Sequence, residues 1–231
     1  MRAPSHQVRD AVTERDQATR IEPRWPVALA VLVLLFLLTV LPGRVKVLPS
    51  WVTYAAGISL IVPMIAIELT KPRVRWQRVE RFITLLFFIV GGVATLANLE
   101  NLVRLMIGRS GAISGGQLLA SSIAIWATNV LMFSTLYWQI DRGGPEAREN
   151  NKSPRPDWLF PQQGAGEDVP PGWVPTFVDY LFLGFSTATA FSPTDVLPLT
   201  RRAKMFMMIE SAISLVTTVA VASRAINILG S

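Results

Sequence analysis

The stretch LLASSIAIWATNVLMFSTLYWQI, residues 118–140, decides the fold class of this chain. Its 23 residues include no charged side chain. A helix needs about 20 mainly apolar residues to cross the hydrocarbon core of a bilayer, which is about 30 Å thick. The closing Tyr137 and Trp138 are of the type that lies at headgroup level. The stretch therefore predicts a membrane-spanning helix.

Five further apolar stretches make the chain a candidate polytopic membrane protein: residues 25–41, 51–69, 82–99, 177–191 and 205–229. The six stretches together make up about half of the 231 residues. Only 16% of the residues are charged, against about 25% in ordinary soluble domains. We therefore expect an all-α membrane protein with about six membrane-embedded helices, although the first and fourth of these further stretches are short for a span.

The composition also excludes several kinds of site. The chain has no cysteine, and its one histidine, His6, lies in a polar tail. Disulfides, thiolate nucleophiles and histidine-based zinc or hydrolase sites are therefore ruled out. The net charge is +6, but the basic residues flank the apolar stretches rather than forming one basic face. We expect a lipid bilayer as partner, with no nucleic acid, catalytic residue, metal or cofactor.

The distribution of Lys and Arg predicts the orientation. If all six stretches cross the membrane, 15 of the 22 basic residues lie on the side of the N-terminus and seven on the other. Because cytoplasmic loops carry the excess of Lys and Arg, we expect a multi-pass protein of the bacterial plasma (inner) membrane with a cytoplasmic N-terminus. Its parts are then a cytoplasmic tail (1–24), a four-helix transmembrane region (25–140), a loop (141–176) and a helical hairpin (177–231).

The loop at 141–176 contains seven prolines and five glycines, which excludes a continuous helix. Its apolar residues, Trp158, Leu159, Phe160 and Trp173, are expected to fold back against the membrane surface or the helix ends.

Polar residues inside the apolar stretches are candidates for an intramembrane site. Glu100 and Arg104 have the i,i+4 spacing at which side chains meet. Asn98 and Asn129 either line a cavity or hydrogen-bond to a neighbouring helix. Glu210 is expected to face protein or water, because a carboxylate exposed to lipid is costly. Its partner is expected on another helix or another chain, and the candidates are Asn98, Asn129 and Arg104.

The last third of the chain carries the best candidate for function. Thr176 and Asp179 form a variant of the capping box, which predicts a helix beginning just after Pro175. Pro193 and Pro198 then favour a structured, non-helical segment over residues 191–200. Such a segment is tolerated at membrane depth only where it is buried in protein or lines water.

This region resembles the pore helix, filter and inner helix of tetrameric potassium-type channels. The resemblance rests on DYLF from Asp179, FSTAT ending at Thr189, DVLPLT from Asp195 to Thr200, and a basic patch before the helix with Glu210. It covers about 50 of the 231 residues. It implies a homo-oligomer that conducts monovalent cations, with Asp195 attracting the cations. It also implies a polar constriction lined by Thr187, Thr189, Phe191, Ser192, Thr194 and Asp195.

Two features separate the chain from those channels. Residues 190–194 read AFSPT where the family has T-V-G-Y-G, and the missing glycines are needed to point successive carbonyls into a filter. We therefore expect weak cation selectivity at most. Potassium-type pore loops also enter from outside, whereas the charge count makes the 141–176 loop cytoplasmic. Either the loop enters from the cytoplasm or residues 177–191 form a short span, and the short span is our expectation.

Over its whole length the chain resembles an uncharacterised family of bacterial polytopic membrane proteins. The resemblance rests on DRGGP at 141–145, LFPQ at 159–162, TATAFSPTD at 187–195 and PLT at 198–200. It implies the architecture and no activity. Two functions therefore stay open: a channel-like protein, and a structural or partner-binding membrane protein without transport. An enzyme is disfavoured because Glu210 and Asp179 have no histidine, cysteine or second carboxylate nearby in sequence.

Overall fold

The chain forms a helical bundle. The computed structural model describes residues 23–41, 45–46, 49–69, 74–107, 115–149, 155–170, 172–189 and 196–229. The helices are α1 (Trp25–Val40), α2 (Ser50–Leu69), α3 (Val74–Ile107), α4 (Gly115–Ile140), α5 (Pro145–Glu149), α6 (Phe177–Thr189) and α7 (Arg201–Leu229). Two short antiparallel strands, β1 (Trp158–Leu159) and β2 (Leu197–Pro198), pair with each other. Three 3-10 turns complete the described elements, at Asp141–Gly143, Pro161–Gly164 and Gly166–Asp168.

The expected all-α class is confirmed in its coarse form. Three segments are long and apolar enough to cross a membrane, namely Arg81–Leu105, Gly116–Gly143 and Arg201–Ser223, and Trp25–Thr39 is a shorter apolar helix. Large apolar side chains are exposed on the outer faces of the helices, such as Phe36, Ile58, Phe82, Phe182 and Met208. Six spans remain a prediction.

Helix α4 is the centre of the bundle, in contact with α1, α3, α6 and α7. From residue 128 to residue 141, every side chain except Leu131 is buried. The hydroxyls of Ser122, Ser134 and Thr135 donate to the carbonyls four residues earlier, at 2.7–2.9 Å. Such bonds satisfy a buried hydroxyl within its own helix. A helix rich in Ser and Thr is therefore able to occupy the core.

The helices before α4 run back and forth along the bundle. Arg81 Nη1, near the start of α3, donates to the carbonyl of Gly143 at 3.3 Å, so α3 begins where α4 ends. We call this the Ile140 end of the bundle and the other the Gly115 end. Gly57 of α2 lies against Leu35 of α1, and α2 packs against α3. With their short connections, α1 therefore begins at the Ile140 end and α2 returns to it.

Helix α6 enters the bundle from the Ile140 end. The Phe177 ring lies 6.4 Å from that of Trp138, and further along the helix Phe185 lies 5.9 Å from Trp126. These contacts make α6 antiparallel to α4. Its 13 residues give a length of about 20 Å, which is shorter than the hydrocarbon core.

The chain then returns to the Ile140 end. Strand β2 pairs with β1, and the Leu199 N–H donates to the Asp157 carbonyl at 2.8 Å. Arg202, in the first turn of α7, reaches the Ile140 carbonyl at 3.5 Å. Phe177 and strand β2 therefore both lie at the Ile140 end of α4, while Phe185 lies further along α4 beside Trp126. Helix α7 consequently runs parallel to α6. The crossing expected for residues 177–191 remains a prediction.

Candidate functional site

The Glu210 side chain lies at the centre of a polar layer between α4 and α7. It is fully buried, and its Oε2 accepts a hydrogen bond from the Tyr137 hydroxyl at 2.6 Å. The Asn129 amide donates to the Glu210 backbone carbonyl at 3.1 Å and to Ser214 Oγ at 2.9 Å. The layer therefore ties the first half of α7 to the second half of α4.

Helix α6 closes the third side of this layer through Gly184. A Cβ at this position would lie 3.3 Å from Glu210 Oε1 and would overlap the Ser134 hydroxyl. The absent side chain thus allows α6 to approach the carboxyl. Glu210 Oε1 and Thr187 Oγ1 are buried and have no hydrogen-bond partner among the described residues.

Among the predicted intramembrane polar residues, the structure brings Glu210 and Asn129 together. Asn98 belongs to α3 and is buried where α3 packs against another face of α4. There it lines a cavity with Thr95 and Thr128. Glu100 and Arg104 form their i,i+4 ion pair at 2.5 Å. That pair lies on the surface, with 63% and 74% of the two side chains exposed. Within one copy of the chain, Asn98 and Arg104 therefore lie apart from Glu210, and the partner is Tyr137.

Tyr137 is the partner that the sequence did not indicate. Tyr137 and Trp138 are both fully buried where α6, α7 and the following loop surround the end of α4, and their expected depth at headgroup level remains a prediction. Asn129 and Tyr137 are eight residues apart, and Glu210 and Ser214 are four apart. At these helical spacings each pair shares a face. A comparison of these two polar helix faces could have indicated from the sequence that α4 and α7 pack together through them.

Two of the six predicted constriction residues lie within the described residues. The Thr187 carbonyl accepts a hydrogen bond from Ser211 Oγ at 3.3 Å, which joins α6 to α7. The Thr189 hydroxyl donates to the Phe185 carbonyl at 3.0 Å within its own helix. The other four, Phe191, Ser192, Thr194 and Asp195, lie outside the described residues.

A second polar cluster covers the Ile140 end, and we call it the loop lock: Asp141, Arg148, Asp157, Tyr180, Thr200 and Arg202. Asp141 is fully buried. Its Oδ1 accepts from the Asp157 N–H at 2.7 Å, and its Oδ2 accepts from the Tyr180 hydroxyl at 2.5 Å. One carboxylate therefore joins the end of α4, the loop and the first turn of α6.

Asp157 extends the lock to α7. Its buried carboxylate accepts from Thr200 Oγ1 at 2.6 Å and from Nε and Nη2 of Arg202 at 2.6 and 2.5 Å. Such two-point pairing fixes geometry as well as charge. The Arg148 guanidinium donates to the carbonyls of Trp138 and Asp141 and lies 4.9 Å from the Tyr180 ring centre, within the range of a cation–π interaction.

The loop lock unites motifs that are far apart in the sequence. In DRGGP, Arg142, Gly143 and Gly144 all have positive φ, which makes the tight turn after α4. Trp158 and Phe160 of the loop are buried against the helix ends, as their apolar character predicted, and Trp173 is partly buried, whereas Leu159 is exposed. The loop lock holds the loop against the helix ends. No group of three or more side chains suited to a metal ion occurs within the described residues.

A scan against family models and searches of curated proteins and of solved structures found no match. The described chain is a mostly helical bundle with three helices long and apolar enough to cross a membrane.

Proposed function

We propose that this chain is a multi-pass plasma-membrane protein in which residues 177–200 re-enter the membrane as a pore loop, so that several copies together conduct monovalent cations with little selectivity. The supporting observation is the path of the chain around α6. A short helix enters from the Ile140 end, the chain returns to that end, and the long helix α7 then runs beside the short one. This is the order of pore helix, filter and inner helix that the sequence resemblance implies.

The charge distribution supports entry from the cytoplasm. If α6 re-enters, one side of the membrane holds the N-terminal tail, the α2–α3 connection, the 141–176 loop and the start of α7. That side holds 17 of the 22 Lys and Arg, and the other holds five. This difference between the two sides is larger than the 15 against seven Lys and Arg of a six-span arrangement. By the positive-inside rule, it favours a cytoplasmic location for the Ile140 end and the N-terminus.

The same arrangement favours a homo-oligomer. Non-helical backbone at membrane depth has to be covered by protein or to line water, and one hairpin per chain makes only a sector of a pore. The face of α6 turned away from α4 exposes Val178 and Phe182. We propose that a neighbouring copy covers this face.

Cysteine labelling tests the re-entrant path. The chain has no native cysteine, so Glu167→Cys, Arg201→Cys and Gln117→Cys, all at exposed positions, each report one site. Re-entry predicts that a membrane-impermeant thiol reagent labels positions 167 and 201 from the same side and position 117 from the opposite side. Labelling of positions 167 and 201 from opposite sides would show a full span and refute the pore loop.

Ion flux in proteoliposomes tests conduction. Because an apolar ring closes a narrow pore by dewetting, Phe191→Ala should raise the flux, and Asp195→Asn should lower the preference for cations. Phe36→Ala, at an exposed position of α1 away from the hairpin, is the matched aromatic control and should leave the flux unchanged. A potassium preference over sodium of about a hundredfold would contradict the weak selectivity argued from the sequence of this loop. No flux through either the parent or Phe191→Ala would refute conduction.

The alternative function, a structural or partner-binding membrane protein, is favoured by one observation. Many of the polar groups serve packing: Asn129 and Ser214 join α4 to α7, and Asp141 and Asp157 hold the loop lock together. The measured mass of the purified protein in detergent separates the two functions. A monomer without flux supports the structural function, and an oligomer with flux supports the pore.

A further inference from the structure

The Glu210 carboxyl is a buried acidic group that the proposed pore does not use. We call the polar layer around it the Glu210 layer: Asn129, Tyr137, Gly184, Thr187, Glu210 and Ser214. Its Oε2 accepts from the Tyr137 hydroxyl at 2.6 Å, and its Oε1 is buried without a hydrogen-bond partner among the described residues. Because burial of an unpaired charge is very costly, a further partner has to neutralise this carboxyl.

The described groups around the carboxyl are neutral. The Tyr137 hydroxyl contacts it from α4, and Gly184 lies against it from α6. Helix α3 contributes the Phe88 ring to this part of the bundle. On α7 itself the nearest basic residue in sequence, Lys204, is exposed and lies six residues earlier. Among the described residues, neither Lys nor Arg forms an ion pair with Glu210.

Thr187 offers the carboxyl a neutral oxygen. It follows Gly184 by three residues on α6, and its carbonyl accepts from Ser211, the residue next to Glu210. The Thr187 hydroxyl is buried and, like Glu210 Oε1, has no hydrogen-bond partner among the described residues. A hydroxyl accepts from a carboxylic acid as well as donating to a carboxylate. Thr187 therefore suits a neutral carboxyl.

We propose that the Glu210 layer is a proton-binding site, in which the Glu210 carboxyl holds one proton and is neutral. The proton lies on Oε1, on the side of Thr187, and Oε2 remains the acceptor of the Tyr137 hydroxyl. A proton removes the uncompensated charge and needs no additional space where α6 packs closely against the carboxyl. A metal cation would instead need room and several oxygen ligands around it.

Release of this proton is coupled to the contact between α6 and α7. The ionised carboxylate would lie between the two helices without a counter-ion among the described residues, so water would have to enter to solvate it. The packed arrangement of α6 and α7 therefore favours the bound proton, and loss of the proton favours their separation. The proposal is independent of whether the protein conducts ions.

Infrared difference spectroscopy of the full chain in detergent at neutral pH tests the proposal. The C=O stretch of a neutral carboxylic acid lies at a higher frequency than the bands of a carboxylate, so Glu210→Gln should remove one such acid band. Glu100→Gln, which removes an exposed carboxyl paired with Arg104, is the matched control and should remove carboxylate bands only. Loss of carboxylate bands alone in Glu210→Gln would show an ionised group and overturn the proposal.

Tyr137→Phe gives a second measurement that does not require Glu210→Gln to fold. A hydrogen bond to a carbonyl oxygen lowers its stretching frequency, so loss of the Tyr137 donor should move the acid band to a higher frequency. Tyr54→Phe, at an exposed tyrosine, should leave the band in place. A parent spectrum without an acid band, or a band that Tyr137→Phe does not move, would overturn the assignment to Glu210.

A metal cation is the competing ligand, and thermal unfolding separates it from a proton. The parent should have the same Tm in sodium chloride and in choline chloride of equal concentration, because a site occupied by a proton does not bind Na⁺. Stabilisation by Na⁺ that is lost in Glu210→Gln would show a metal cation at the carboxyl and overturn the proposal. Stabilisation that persists in Glu210→Gln would place the cation outside the Glu210 layer, as the proposal requires.

Discussion

Replacement of Gly184 by alanine tests how closely α6 packs against α4 and α7. The added Cβ would overlap the Ser134 hydroxyl and approach Glu210 Oε1 and the Val130 carbonyl to 3.3 Å. Alanine stabilises a helix interior by about 1 kcal/mol relative to glycine, while overpacking costs about 1–3 kcal/mol. Because the overlap is with a polar atom held in the core, we expect a net loss of about 1–2 kcal/mol.

Thermal unfolding in detergent measures this loss. For a chain of this size, 1 kcal/mol corresponds to about 2–4 °C, so Gly184→Ala should lower the Tm by about 2–8 °C. Gly116→Ala, whose Cβ would meet no atom within 4 Å, should leave the Tm unchanged or raise it. Ser134→Ala removes the overlapping oxygen, so Gly184→Ala should cost clearly less in that background, and a double-mutant cycle gives the coupling. Strictly additive effects, or a Gly184→Ala variant as stable as the parent, would refute the proposed close packing.

The remaining predictions concern the Glu210 layer and the loop lock. Tyr137→Phe removes the donor to Glu210 Oε2 and should cost about 1–3 kcal/mol of unfolding free energy, whereas Tyr54→Phe, at an exposed tyrosine, should leave the Tm unchanged. Arg202→Met removes the charged partner of a buried carboxylate and, since Arg202 is itself half exposed, should cost about 2–3 kcal/mol. Limited proteolysis should then cut the 141–176 loop faster than in Arg201→Met, and equal rates would contradict the lock.

Features set by local sequence were predictable. The start of α6 is one, because Thr176 and Asp179 are three residues apart and need no distant partner. The backbone N–H and the hydroxyl of Thr176 both donate to Asp179 Oδ2, at 2.7 and 2.9 Å. The apolar helices and the Glu100–Arg104 pair are further examples, since length and i,i+4 spacing determine them.

The loop lock and the Tyr137–Glu210 bond were not predictable in the same way. Asp157 bonds to Arg202, which is 45 residues later in the chain, and no local pattern specifies such a pair. An aromatic residue at the end of an apolar stretch is typical of the membrane interface, and this local rule does not indicate a partner for Tyr137. The bond to Glu210 arises because α6 and α7 surround that end of α4.

The path of residues 177–200 depends on both kinds of information. An apolar stretch of 15 residues is compatible with a short span and with a re-entrant helix, so its length does not decide between them. The deciding information is the side of the membrane on which α7 begins. Arg201, Arg202 and Lys204 lie at that start, so the charge count depends on where they are placed. When these residues are placed beside the 141–176 loop, the asymmetry of Lys and Arg increases, and the Asp157–Arg202 bond requires the same placement. Arg202 contributes to both observations, as one of the counted charges and as the partner of buried Asp157, and both favour a chain that enters and leaves at the Ile140 end.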